Sequence, residues 1–337
     1  MADPLFPLLK LPYLGQKLVI KLMSIDEQLR YSTISQNTSL FLKNLHLKVD
    51  FITLRVTNEF ISIIMNSSSH IYHHLAPASY SEKKHQKPRL FLDIPVTVFG
   101  GDESVLRKPE WSLRDWREYL VKTYNCKKFK LKVLSCDFYD IESVIALFKG
   151  LNVIGVEIQD SNQENDRKIL KMFPPKQELE LEHPPFEGFV LMNLNLDYLK
   201  LGYYIEVTVH NLMRMKTKNI EIRTCQMRTV ELNNFIKKWI RMETNLELET
   251  LSLVLNKCRI DRNQVLNRIA HLVVEPTKIF TSEYPTTLWE ELESPKEQYE
   301  IRREDGKKAT IQWFEPRFEI SQEYHRSKQK IIAQQQI

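Results

Sequence analysis

Side chains able to do chemistry are few in this chain of 337 residues, and their spacing argues against most of it. His73 and His74 are adjacent in a strand-like run, so their imidazoles point to opposite faces and cannot share one metal ion. No H-E-x-x-H pattern occurs elsewhere. Asp137, Asp140 and Glu142 sit near Cys136 and would make a carboxylate cluster, although Asp140 is better used as the cap of the helical pattern that follows. Cys126, Cys136, Cys225 and Cys258 are separated by 10, 89 and 33 residues without a Cys-x-x-Cys pair. That spacing favours reduced thiols over a zinc site or a secreted disulfide framework. The chain has eight glycines, and none builds G-x-G-x-x-G, G-x-x-x-x-G-K-[ST] or G-x-S-x-G, so neither nucleotide binding nor elbow-type hydrolysis has support. The expectation is a non-catalytic chain with no cofactor and no metal.

Charge offers a second possible chemistry. Lys83, Lys84, Lys87 and Arg89 form one basic cluster, Lys127, Lys128, Lys130 and Lys132 another, and Lys237, Lys238 and Arg241 a third beside Trp239. Phosphate contacts from such clusters would suit a nucleic acid. The 48 basic residues face 43 acidic ones, however, and a net charge of +5 demands no acidic polymer, so nucleic acid stays an alternative. Asp3 and Lys10 interrupt the apolar residues at the start, and no run approaches 18 apolar positions. Neither a signal peptide nor a membrane span is expected, which places the chain in the cytoplasm or the nucleus.

The elements that must position these residues change character near residue 45. Pro12 suits a first helical position, and Leu11, Leu14, Leu18 and Leu22 recur at spacings of three and four. Val19, Ile20 and Met23 widen that stripe beyond what short neighbouring helices can bury, so part of it should meet another protein. Ser24 to Glu27 has the form of a capping box opening a second helix with Ile25 and Leu29, and a third helix is expected near Ser39 to Leu45. Beyond it the period becomes that of strands: residues 46–56, 60–65 and 90–99. From Trp111 strands and helices alternate, with strands expected at 129–134, 153–158, 203–209, 219–224 and 251–255 and helices at 112–120, 141–148, 231–242 and 261–270. The units start about 24 to 31 residues apart, the range of leucine-rich-repeat-like solenoids; an ordinary α/β sheet with helices on one side is the competing form. Asp305-Gly306 marks a tight hairpin turn between 299–303 and 309–314.

Three stretches resemble one family. Phe6 to Met23 with its Leu11-Pro12 pair, Val230 to Ile240 (Val-Glu-Leu-Asn-Asn-Phe-Ile-Lys-Lys-Trp-Ile) and Tyr299 to Ile311 (Tyr-Glu-Ile-Arg-Arg-Glu-Asp-Gly-Lys-Lys-Ala-Thr-Ile) are similar, in order and spacing, to nematode F-box proteins that carry an F-box-associated domain of type 2. The resemblance implies an α/β chain with an N-terminal three-helix F-box over 1–45, an irregular leucine-rich-repeat-like F-box-associated domain over 46–320 and a tail over 321–337. It implies the substrate-recruiting subunit of an SCF-type cullin-RING ubiquitin ligase, whose partners are the SCF adaptor, through it a cullin, and a protein substrate. A plain scaffold without a ubiquitin link is a further alternative.

Two surfaces follow. Leu11, Pro12, Val19, Leu22, Met23 and Leu29 are the adaptor-binding candidates, being apolar in excess of what the helices can bury. If Ile154, Val156, Ile158, Ile220, Ile222, Leu251, Leu253 and Leu255 face the helices of a parallel sheet, period-two alternation sends Lys130, Lys132, Glu157, Gln159, Glu221, Arg223 and Ser252 to the opposite face as target-binding candidates.

Overall fold

The computed structural model describes residues 8–57, 61–67, 70–77, 98–99, 105–106, 110–135, 141–160, 162–185, 194–224, 227–254, 261–275, 297–314 and 317–322. The chain is mixed α/β and divides into two compact units, Met1–Pro174 and Pro175–Ile337.

Unit 1 opens with three short helices, α1 (Tyr13–Leu22), α2 (Ile25–Thr33) and α3 (Gln36–Asn44). The capping box expected at α2 is present: the Glu27 amide donates to the Ser24 hydroxyl at 3.2 Å and the Ser24 amide to the Glu27 carboxylate at 2.7 Å. Ile20, Tyr31, Leu42 and Leu45 pack into one core cluster with Met23 and Phe41 at its edge. Gln28 ties α2 to the end of α1, its amide donating to the carbonyls of Ile20 at 3.1 Å and Met23 at 2.9 Å. Strands β1 (Phe51–Val56), β2 (Ile61–Ser67), β3 (His70–Pro77), β4 (Val98–Phe99) and β5 (Val105–Leu106) follow, then α4 (Leu113–Tyr124), β6 (Phe129–Ser135), α5 (Ile141–Leu147), β7 (Val153–Asp160) and α6 (Gln163–Met172). The order across the sheet is β7-β6-β1-β2-β3-β4-β5, parallel through β7, β6 and β1 and antiparallel beyond. Helix α4 meets the N-terminal helices, with Tyr124 donating to Gln28 at 3.3 Å and Ser39 lying 3.4 Å from the Tyr119 hydroxyl.

Helix α4 is held at its start by Ser112, whose hydroxyl accepts from the Asp115 amide at 3.2 Å while the Asp115 carboxylate accepts from the Ser112 amide at 2.9 Å. The Ser112 hydroxyl also donates to that carboxylate at 2.6 Å, and this bond, with the one from the Ser112 amide, sets the Asp115 carboxyl below its usual pKa. A group depressed in this way stabilises the fold above its unfolded pKa, and the contribution is lost as pH falls through the lower folded value. Ser112→Ala should cost about 1 kcal/mol, read as a lower melting temperature at neutral pH, and the difference from the parent should shrink on acidification. Equal melting of the two proteins at neutral pH would contradict the cap.

Unit 2 contains β8 (Glu178–Leu181), β9 (Tyr198–Leu201), α7 (Val209–Arg214), β10 (Asn219–Ile222), α8 (Thr229–Ile240), β11 (Thr250–Val254), α9 (Arg262–Val265), β12 (His271–Val274), β13 (Glu297–Arg302), β14 (Lys308–Phe314) and β15 (Arg317–Gln322). Its sheet runs β8-β9-β10-β11-β15-β14-β13-β12, with β8 to β11 parallel and the rest antiparallel. The expected parallel pairing of the 220 and 251 strands is present, Ile220 opposite Leu251 and Ile222 opposite Leu253. Leu179, Leu199, Ile220, Leu251, Ile320 and Ile311 form one buried row across the sheet, and α8 buries Leu232, Phe235, Ile236 and Trp239. Gly306, at a φ of 85°, makes the hairpin turn between β13 and β14.

Several expectations change. Residues 203–209 are not a strand: β9 ends at Leu201, and a loop follows in which Thr208 caps α7 by accepting from the Asn211 amide at 3.2 Å. Helix α6 and strand β8 lie where no element was expected. An antiparallel ribbon of four strands completes the parallel core of unit 2, which a uniform strand-helix repeat does not contain. Of the strand expected over 90–99, only Val98–Phe99 is among the described residues.

Candidate functional site

Among the described residues no group of three or more His, Cys, Asp or Glu side chains could hold a metal ion. In β3 the backbone pairs His73 with Met65 and His74 with Ile64, adjacent positions on opposite faces of the sheet. Cys136, Cys225 and Cys258, Asp137 and Asp140, the basic cluster of residues 83–89, and Leu255 all lie outside the described residues. No described helix is long and apolar enough to cross a membrane.

The first surface is the outer side of α1. Leu14, Leu18 and Leu22 follow one another at i, i+4 and i+8, and all three are exposed, Leu22 at 85%. Ile20, on the other side of the same helix, is fully buried in the helical core. Pro12 is exposed, and Leu11, Val19 and Met23 are half-buried. Leu29 is 0% exposed and belongs to the core, because α2 turns that side inward. Its place at a surface is thereby corrected, and Leu14 and Leu18 join the exposed stripe. Lys10 and Lys21 are exposed and Lys17 is half-buried, while α1 has no acidic residue, so the stripe carries a basic edge.

The second surface is the polar face of the strands. In unit 1 it presents Lys130, Lys132 and Glu157, with Lys132 paired to Glu157 at 2.7 Å and the Lys130 ammonium 4.0 Å from the centre of the Phe51 ring. Gln159 donates to Glu157 at 2.6 Å. In unit 2 the register aligns Glu180, Lys200, Glu221, Ser252, Glu319, Gln312 and Gln298 in one row across seven strands. Lys200, only 8% exposed at its side chain, lies 3.7 Å from Glu180 and 3.9 Å from Glu221. Arg223 lies 3.5 Å from Glu221, and Arg317 3.1 Å from Glu319. Such interlocked pairs contribute little to stability singly but fix one charge pattern on the face. Burial, together with the charges of Glu221 and Glu180, holds the Tyr198 phenol well above its ordinary pKa, so it stays a donor to Glu221 at 3.1 Å. The candidates therefore fall into two groups, Lys130, Lys132, Glu157 and Gln159 in unit 1 and Glu221, Arg223 and Ser252 in unit 2.

Part of the unit 2 row, Lys200, Glu221 and Ser252, lies in a segment that matches a known family: residues 190–253, from just before β9 to β11, match the F-box associated family. Two Caenorhabditis elegans proteins are similar along nearly their whole length. One, the F-box associated domain-containing protein sdz-33, is 23% identical over 93% of this chain and 95% of its own length. The other, Skn-1 dependent zygotic transcript 15 protein, is 22% identical over 94% of this chain and 96% of its own. The likeness is to nematode F-box associated proteins. No solved structure matches the chain. Tyr198, Lys200, Glu221, Arg223 and Ser252 lie inside the matched segment, whereas α1 and its exposed leucines precede it.

Proposed function

We propose that the chain is the substrate-recruiting subunit of an SCF-type ubiquitin ligase. The outer side of α1 docks on the adaptor and through it on a cullin, and the polar strand face of the F-box associated domain holds a target protein. The observation that carries the reading is the exposed Leu14, Leu18 and Leu22 stripe with its lysine edge, upstream of a matched F-box associated segment. A monomeric soluble surface rarely leaves three large apolar side chains in line unless something covers them. The basic edge calls for a partner whose apolar groove has an acidic rim. Work in this assembly is done by proximity: a target held on the strands has its lysines near the conjugating enzyme, and the chain itself transfers nothing. The cytoplasm or nucleus is the compartment this role requires.

Affinity purification of the full chain followed by mass spectrometry tests the reading. Adaptor and cullin peptides should be enriched together, and their joint absence overturns it. Reversing charge at Lys130, Lys132 and Arg223 together should leave adaptor recovery unchanged and remove a subset of the other co-purifying proteins. Circular dichroism supplies the check of folding, and an identical partner set in the folded variant excludes the strand face as the target surface.

A further inference from the structure

At the C-terminal ends of β8, β9 and β10 three successive parallel strands deliver an unusual group of side chains to one place. Ligands of open α/β sheets commonly sit beyond the carboxyl ends of parallel strands, where the following loops diverge. Glu182 and His183 follow β8, Gly202, Tyr203 and Tyr204 follow β9, and Arg223 follows β10.

The arrangement is built on a close approach. A Cβ at position 202 would lie 2.4 Å from the Glu182 carboxyl group and 2.6 Å from its Cα, so only glycine lets the two chains pass. The Gly202 amide then donates to the Leu181 carbonyl at 2.7 Å, and the Tyr203 amide donates to the Glu182 carboxylate at 3.2 Å, fixing that carboxylate beside the tyrosines. Tyr203 and Tyr204 are 52% and 64% exposed, although Leu201 and Ile205 on either side are buried. The His183 ring stacks on Tyr204 with centroids 4.3 Å apart and planes 9° from parallel. The Arg223 guanidinium lies 5.7 Å from the Tyr203 ring centre, so that ring already receives one cation. Charge decides the guest. Among the described residues of these strand ends and the loops after them, Glu180, Glu182, Glu206 and Glu221 stand against Lys200, Arg223 and Arg228. Lys200 lies between Glu180 and Glu221, Arg228 is paired with Glu231, and Arg223 is held by Glu221 at 3.5 Å. A phosphorylated or otherwise acidic guest would need a free cation here; a basic one supplies what the group lacks.

We propose that these strand ends form a subsite for an arginine- or lysine-bearing segment of the target, received on the tyrosine rings and neutralised by Glu182 and Glu206. The proposal rests on the target-holding role of the F-box associated domain and names the chemistry that role would use.

The purified full chain, with no adaptor present, is titrated with two fluorescein-labelled octapeptides, one alternating arginine and glycine, the other glutamate and glycine, at physiological ionic strength. Anisotropy should report binding of the arginine peptide and none of the glutamate peptide. The pair Tyr203→Ala with Tyr204→Ala should weaken binding about tenfold or more, while Tyr203→Phe with Tyr204→Phe, which keeps both ring faces, should not. Glu182→Gln should weaken it as well. No binding by the parent, preference for the glutamate peptide, or equal affinity in the alanine pair overturns the subsite. Should the alanine pair fail a thermal-melting check, Glu182→Gln decides, and its unchanged affinity is then the overturning result. Because the adaptor is absent from this titration, loss of adaptor co-purification in the earlier experiment and loss of peptide binding here are separate failures.

Discussion

Leu18→Asp combined with Leu22→Asp should leave the protein folded and remove the adaptor and cullin from its complex. Both leucines are exposed in the free chain, Leu22 at 85%, so their replacement withdraws nothing from the helical core built on Ile20, Tyr31, Leu42 and Leu45. Exposed substitutions of this kind alter stability by about 0.5 kcal/mol or less. At an interface the same two positions would be central apolar anchors, each costing about 2 kcal/mol on truncation, and two desolvated carboxylates add to that. A loss of about 4 kcal/mol is roughly a thousandfold in affinity. Quantitative co-purification reads it directly, with melting temperature as the check of folding. Equal adaptor recovery from parent and variant would falsify the α1 docking surface. Leu29→Asp offers the contrast: Leu29 has no exposure, so that change should unfold the helical segment rather than strip a partner from an intact one.

Trp239→Ala should be the most destabilising single truncation in unit 2, lowering stability by about 3–5 kcal/mol in a denaturant titration. The indole is 1% exposed on α8, beside the fully buried Phe235 and Ile236. The Arg303 guanidinium lies 5.1 Å from its ring centre, and that side chain also donates to the Leu246 carbonyl at 3.2 Å and pairs with Asp305 at 3.2 Å. Removing the ring leaves a cavity and takes away the surface on which a buried cation rests. A midpoint shift equivalent to less than about 1 kcal/mol would mean that the site collapses without penalty and that α8 is not the anchor its burial indicates.

Local signals made part of this architecture legible. Ser24 with Glu27 and Ser112 with the apolar residues after it announce α2 and α4, because a cap is a property of four consecutive residues. The alternation in Phe129–Ser135 gives both the strand and its buried face, and the Asp305-Gly306 pair gives the last hairpin. What stayed hidden depends on partners distant in sequence. Strand β8 is four residues between proline pairs, too short for its period to register, and β9 lies just ahead of an aromatic run that itself reads as a strand. The outer side of α1 follows from its heptad-like spacing, but that α2 points Leu29 inward follows only from how three helices and α4 close on one another. Likewise, neither His183 nor Tyr204 looks unusual alone; it is the close approach at Gly202 and the parallel order of β8 and β9 that bring their rings together.

The position of β15 has a consequence for truncated forms of the protein. Here the last described strand, Arg317–Gln322, lies between β11 and β14, with Leu251 opposite Ile320 on one side and Ile311 opposite Ile320 on the other. A nascent chain that ends before Arg317 has made both neighbours and lacks the strand that joins them. Loss of this segment therefore opens the middle of a sheet, exposing two unpaired edges at once, which makes the product a candidate for quality control rather than a slightly shortened protein.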